Sequence, residues 1–351
     1  MRIVQIVNAA VGGGAERLVL DLHRTYTDMG HDSMVIALSG PASGKGIHST
    51  GLSSPYHPLA ASKASALMPG GRIDAVHVHL FPALLTVPFA LRRRGYSGAI
   101  FATEHSTWNR RRGTLRGRLL DRFTYAPYRK VVCISPAVEE ALVSWKPFLQ
   151  GRTKVISNGV FLDRFPPVVR NGFHEPPVIL SAGRIAQAKN LFRALEAVRK
   201  LADEHTLPFV WTVAGEGPLL EELRARASDL VAAGTVVFTG YVDDLPELMK
   251  RSDIFFMPSS WEGFGIAAVE AMASGLPVVA SDVPGLSEVV GSDAGILVDP
   301  SDTSAMAKAL RSLLLDPSMA IGTGRAGAVR SRSYSIVDCA LEHIRLFTEE
   351  G

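Results

Sequence analysis

The stretch DIFFMPSSWEGFGIAAVEAMASGLPVVAS, residues 253–281, decides the fold. It opens on the apolar run IFFM, passes through a loop with two glycines, continues as an Ala- and Val-rich helical segment and closes on a second β-branched run, PVVAS. Strand, loop, helix and strand in this order are the unit of a parallel sheet covered on both faces. The helical segment also holds a carboxylate, Glu270, among Ile, Ala, Val and Met. Burial removes the water that solvates such a group, so it must be hydrogen-bonded. No Lys or Arg lies between Arg251 and Lys308, which leaves a distant side chain or a ligand as its partner.

The same alternation runs through the chain. RIVQIVN, DSMVIALS, AVHVHLF, AIFATEH and KVVCIS read as strands in the first half, and PVILSAGR, FVWTVAGEG, VVFTGYV, DIFFMPS and PVVAS in the second. Amphipathic segments such as AERLVLDLHRTYTDMG and LFRALEAVRKLADEH lie between them. The pattern breaks once, at FPPVVRNGFHEPP, residues 165–177, a linker by its prolines. The expected architecture is therefore α/β, with two Rossmann-like doubly wound domains facing across a cleft. The first covers residues 1–168 and the second 169–334; residues 335–351 form a last amphipathic helix that packs back on the first.

Composition narrows the setting. The 351 residues, 47% hydrophobic, suffice for two domains. Cys133 and Cys339, each in an apolar segment, make neither a disulfide framework nor a metal knuckle, in keeping with a reducing cytoplasm. The start, MRIVQIVNAAVGGG, suits a buried strand better than a signal peptide. No apolar run reaches the roughly 20 residues of a membrane span, so the chain is expected to be cytoplasmic, or peripheral at the inner face of a membrane. Charge is segregated: residues 1–170 hold 22 basic and 10 acidic residues, the remainder 15 and 24. A basic first half is expected to meet something anionic.

NAAVGGGAERL follows the first strand and opens a helix, where backbone amides can receive an anion. It is not the dinucleotide fingerprint, because Arg17 stands where the third glycine belongs, and GPASGKG is one residue short of a P-loop. His77 and His79 alternate onto one face of a strand. With no third ligand cluster in the sequence they read as a pocket wall rather than a metal site. His105 falls at the carboxyl edge of the next strand, where open α/β sheets bind ligands. Arg110, Arg111, Arg112, Arg116 and Arg118 then form a basic segment, read either as solvated helix faces or as a surface for an anionic membrane or acceptor. In the second half, Arg184 and Lys189 follow a strand, and with Gly263 and Gly265 they compose a diphosphate cradle. A sugar or ribose diol, which brings donors and no charge, would satisfy Glu270.

At this point the chain resembles glycosyltransferase family 4. EGFGIAAVE matches the Glu-x7-Glu motif of retaining glycosyltransferases, and GGGAER, VISNGV, SAGRIAQAKNL and VAGEGPLLEEL stand in the family's order. The resemblance implies the GT-B architecture, with acceptor bound mainly by the first domain and sugar nucleotide by the second. It implies that Arg184 and Lys189 bind the donor diphosphate and Glu270 the ribose hydroxyls. It further implies that Glu262, with the backbone of Gly263, Phe264 and Gly265, would hold the donor sugar and its phosphate. His105 matches the histidine that contacts the sugar, Gly13 and Gly14 the loop near the reacting centre, and Glu216 lies in a further donor-site motif. Glu262, His105, Arg184 and Lys189 are the expected catalytic set. Where the family often continues NGVD, this chain has Phe161 after Val160, which leaves the aspartate's role unfilled.

The expectation is a metal-independent, retaining hexosyltransferase without cofactor. It uses a nucleotide-diphosphate sugar, a UDP-sugar, on a glycan or lipid-linked acceptor of surface polysaccharide or glycoconjugate synthesis. No nucleic acid is expected as partner, and an anionic membrane is expected at the first domain. Two alternatives stand beside it: a sugar-nucleotide epimerase on the same fold, which turns over donor without acceptor, and a sugar-nucleotide binding protein without catalysis.

Overall fold

The computed structural model describes residues 1–109, 111–168, 172–204 and 208–351. The chain forms two compact units, Met1–Val160 with Ile336–Gly351, and Phe161–Ser335. The first unit ends ahead of the proline-rich stretch. Residues beyond Val160 already pack within the second unit, where the Val168 amide donates to Ser274 O at 3.2 Å and Phe165 is buried.

The first unit is built on seven parallel strands: β1 (Arg2–Ala9), β2 (Asp32–Ser39), β3 (Ile47–Ser49), β4 (Ala75–His79), β5 (Ile100–Glu104), β6 (Lys130–Cys133) and β7 (Thr153–Val155). Their order is β3-β2-β1-β4-β5-β6-β7. The inner strands β4 and β5 are buried along their whole length and β1 through its middle, as helices on both faces require. Helix Ile336–Glu350 belongs to this unit. Its Ile336, Cys339, Ala340, His343, Leu346 and Phe347 share one buried face, and the Phe347 ring packs on Phe101 at 4.8 Å between centroids.

The second unit has six parallel strands: β8 (Val178–Ala182), β9 (Val210–Ala214), β10 (Val236–Gly240), β11 (Ile254–Met257), β12 (Val278–Ser281) and β13 (Gly295–Val298). Their order is β10-β9-β8-β11-β12-β13. Trp211 on β9 is fully buried and donates through Nε1 to Ser181 Oγ at 3.0 Å, which in turn donates to Phe256 O on β11 at 2.7 Å. This short relay satisfies the polar atoms of three adjacent strands and fixes β8 between its neighbours.

Each sheet reverses strand order beside its first strand, between β1 and β4 and between β8 and β11. Ligands of doubly wound sheets bind beyond the carboxyl ends of the strands at that reversal. Among the described residues, no helix is long and apolar enough to cross a membrane.

Candidate active site

In the second unit, the loops that leave β8, β9 and β11 all emerge at the carboxyl edge. The β8 loop carries Arg184, exposed, and then a single 3-10 turn, Gln187–Lys189, that ends on Asn190 in the left-handed conformation. The β11 loop carries Ser259 and Glu262. A backbone hydrogen bond from Ser260 N to Ala188 O, 2.8 Å, ties the two loops together. Lys189 Nζ thereby comes to 2.5 Å from Glu262 Oε1, which also accepts from Ser259 Oγ at 3.0 Å. The side chains of Lys189 and Glu262 are 23% and 16% exposed, so a partly desolvated ion pair occupies the mouth of the switch point.

Two glycines make this geometry attainable. Gly265, the N-cap of helix Ile266–Ala273, has φ +96°, and a Cβ there would lie 2.6 Å from Leu286 Cδ1. Gly215 has φ +138°, and its Cβ would fall 2.0 Å from Gly183 O. The β8 and β9 loops therefore touch backbone to backbone, which any side chain would prevent. The contact is completed by Gly183 N to Ala214 O, 2.9 Å, and Ile185 N to Glu216 O, 2.8 Å. The Glu216 side chain is exposed beside them. Phe264 is buried, its ring edge-on to Tyr334 at 5.3 Å, so this residue anchors the glycine loop and offers only its backbone to a ligand. Gly263 is buried in the same loop. Glu270 is 4% exposed on helix Ile266–Ala273. Arg184, Lys189, Glu216, Glu262, Gly263, Phe264, Gly265 and Glu270 thus all belong to one unit.

In the first unit, Gly13 and Gly14 are exposed at the start of helix Gly14–Asp28, directly after β1. Asn8 on β1 ties this end to the loop after β4, donating to Phe81 O at 2.8 Å and accepting from Ala83 N at 3.3 Å. His105 follows β5 and its Nε2 lies 3.3 Å from His79 Nδ1. Behind it the imidazoles continue: the His79 and His77 rings are 4.1 Å apart, and those of His77 and His343 5.1 Å. His77 Nε2 meets Thr103 Oγ1 at 2.6 Å, and His343 Nδ1 meets Cys339 O at 2.8 Å. Burial lowers all four from the ordinary value, and neighbouring imidazoles add to this for His77, His79 and His105; His105 falls to about 3, and His343, against the opposing pull of the Cys339 carbonyl, to about 4. The expected pocket wall is thus a correction: His77 and His79 are fully buried, and His77 is a core residue.

The basic segment divides in the structure. Arg110 lies outside the described residues. Arg111 faces inward, its Nε 2.8 Å from the fully buried Asp121 and its guanidinium 4.0 Å above the Phe81 ring. Arg112 is nearly buried, donates to Thr107 O and stands 3.9 Å from Glu104. These two pin the loop after β5 and are not part of a basic surface, whereas Arg116 and Arg118 are exposed. Sequence reasoning also passed over Glu104, which is buried and accepts from Tyr125 Oη and Ser106 N, and over His343. Tyr125 is remote in sequence from Glu104, and His77 from His343, so no local pattern signals those contacts.

Comparison with known proteins agrees with this geometry. Residues 12–164 match the model described as Glycosyltransferase Family 4, and residues 168–328 the one described as Glycosyl transferases group 1. Glycogen synthase of Mycobacterium tuberculosis is 31% identical over 278 residues, 76% of this chain and 66% of that protein. The Escherichia coli UDP-Gal:α-D-GlcNAc-diphosphoundecaprenol α-1,3-galactosyltransferase is 25% identical over 256 residues, 68% of this chain and 66% of that protein. The chain thus spans just under two thirds of the length of each of these relatives. Among solved structures, Anabaena HepE in complex with UDP and glucose superposes with a TM-score of 0.83 at 19% identity, over 99% of both chains. The two doubly wound units are those of the GT-B fold, and the chain belongs to glycosyltransferase family 4.

Proposed function

We propose that the protein is a retaining glycosyltransferase that moves a hexose-type sugar from a nucleotide-diphosphate sugar, a UDP-sugar, to a glycan or lipid-linked acceptor in surface polysaccharide or glycoconjugate synthesis. The observation that carries the reading is the Lys189–Glu262 pair at the switch point of the second sheet. Two of the relatives support the donor by their own names: one uses UDP-galactose and a diphospholipid-linked acceptor, and another was solved with UDP and glucose.

Cleavage at an anomeric carbon leaves an oxocarbenium-like sugar and a diphosphate that gains negative charge. Groups that bind this charge more strongly in the transition state than before it lower the barrier. Lys189 and Arg184 are the cations for that task, and the first amides of helix Ile266–Ala273 add a partial positive charge. Together they offer the compensation that a divalent ion provides elsewhere, so the proposal needs no metal. Glu262 keeps Lys189 in place and is itself available to a sugar hydroxyl. Glu270 takes the ribose hydroxyls and His105, neutral at physiological pH, a hydroxyl of the transferred sugar. A leaving-phosphate oxygen takes the acceptor proton as the new bond forms on the same face, with retention.

The test is product analysis by proton NMR with a UDP-hexose, EDTA and a candidate acceptor. An α-linked product from an α-linked donor is expected. An inverted product contradicts retention, and donor turnover without acceptor returns the epimerase reading. Donor affinity without turnover under any acceptor returns the binding-protein reading.

A further inference from the structure

Helix Leu115–Tyr125 turns three of its apolar side chains away from the protein. Its buried positions are Gly117, Asp121, Thr124 and Tyr125, while Leu115, Leu119 and Phe123 are 77%, 58% and 60% exposed. These three recur every fourth residue, so at 3.6 residues per turn they lie within an arc of about 80°. On the same projection Arg118 and Arg122 border the arc on one side and Arg116 on the other, all three exposed. The helix's one acidic residue, Asp121, lies on the opposite face, where it accepts from Arg111 Nε at 2.8 Å and Trp145 Nε1 at 2.9 Å. Thr114 caps the first turn by accepting from Gly117 N at 3.0 Å. A rigidly held helix thus presents an apolar stripe between two cationic borders.

We propose that this helix lies flat in the interface of an anionic bilayer. Leu115, Leu119 and Phe123 enter the acyl region, and Arg116, Arg118 and Arg122 engage lipid phosphates. The arrangement is that of an interfacial helix, in which apolar burial and attraction to anionic headgroups add. A second copy of the chain is a poor occupant, because pairing this stripe with itself would oppose arginine to arginine without an intervening carboxylate. A nucleic acid would match the arginines and leave the aliphatic row without a partner. The inference deepens the proposed function and rests on it only for its purpose, delivery of the protein to a lipid-linked acceptor. Adsorption itself requires no transfer.

The experiment is co-sedimentation of the full chain with vesicles of phosphatidylglycerol and phosphatidylcholine, at low and high salt, beside pure phosphatidylcholine. Wild type is expected to bind the anionic vesicles and to keep part of its binding in high salt. Leu119→Asp and Phe123→Asp should each weaken partitioning roughly ten-fold at either salt. The triple change Arg116→Gln, Arg118→Gln, Arg122→Gln should weaken it roughly a hundred-fold at low salt and remove most of the salt dependence. Phe123→Trp should bind like wild type, and its fluorescence should be quenched by brominated acyl chains beyond the level seen for wild type. The proposal is overturned if wild type ignores anionic vesicles, if the aspartate variants bind as wild type does, or if the added tryptophan is not quenched. It is equally overturned if the chain forms dimers in solution that Leu119→Asp dissociates while vesicles go unbound. Thermal stabilisation of the wild type by nucleotide sugars, without vesicles, reports on the function separately. Its presence alongside failed vesicle binding sinks the membrane inference alone.

Discussion

Lys189 Nζ and Glu262 Oε1 lie 2.5 Å apart, and the two residues reach each other from the loops after β8 and β11, the strands that flank the reversal of the second sheet. The pair neutralises a cation at the place where a diphosphate is proposed to bind. The donor must therefore compete with Glu262 for Lys189. Glu262→Gln should bind free nucleoside diphosphate more tightly, by several-fold, yet transfer sugar at least ten-fold more slowly. Isothermal titration with UDP beside initial rates checks both halves; a weaker UDP affinity in Glu262→Gln would contradict the competition.

Gly265 and Gly215 are two of the positions around this pair that require glycine. Gly265→Ala puts a methyl group 2.6 Å from Leu286 Cδ1 at φ +96°, and Gly215→Ala puts one 2.0 Å from the Gly183 carbonyl at φ +138°. Each should destabilise the protein by roughly 2–4 kcal/mol. Gly234→Ala, where φ is +76° and the space is open, should cost only about 1 kcal/mol from backbone strain. Urea denaturation of the three variants orders them.

The arginines of the basic segment should separate by role. Asp121→Ala leaves Arg111 and the Trp145 indole without their buried acceptor and should destabilise the first unit by about 3–5 kcal/mol. Arg116→Ala, on the exposed face, should change stability by less than about 0.5 kcal/mol. Equal losses in thermal unfolding would argue against the inward role of Arg111.

The imidazole column gives the first unit an acid limit. In the unfolded chain each histidine takes a proton near 6.5, whereas in the fold His343 does so only near 4 and His105 near 3. The unfolded state thus binds more protons between these values. The stabilisation from the neutral column is fully present above about 6.5 and declines as pH falls toward 4. Melting temperatures should be level from pH 8 to 7 and drop progressively below 6.5, and His343→Gln should shallow that drop. A profile that His343→Gln leaves unaltered would contradict the assignment.

How far the sequence discloses this molecule depends on the range of the interactions. Strand–helix alternation is local, so the doubly wound sheets and the loops bearing Arg184, Lys189 and Glu262 can be located from it. The likeness of EGFGIAAVE to a family motif adds residue roles that periodicity alone does not provide. Alternation also places His77 and His79 on one face of β4, but which element covers that face depends on residues 336–350, remote in sequence. Arg111 and Arg112 read as surface charge because the carboxylates they pair with, Asp121 and Glu104, are recognisable only once the loop after β5 has folded back. The exposed row of Leu115, Leu119 and Phe123 is helical in period, and only burial shows that it faces outward.

The most direct test of the central claim is thermal stabilisation of the purified protein by UDP-, GDP-, ADP- and dTDP-sugars in the presence of EDTA. A ligand that binds only the folded state raises Tm. A shift with UDP-sugars that Lys189→Ala abolishes, while its own Tm without ligand falls only slightly, is the expected result. A shift that survives Lys189→Ala unchanged, or no shift with any nucleotide sugar until a divalent metal is added, would contradict a donor site built on Lys189 and Glu262.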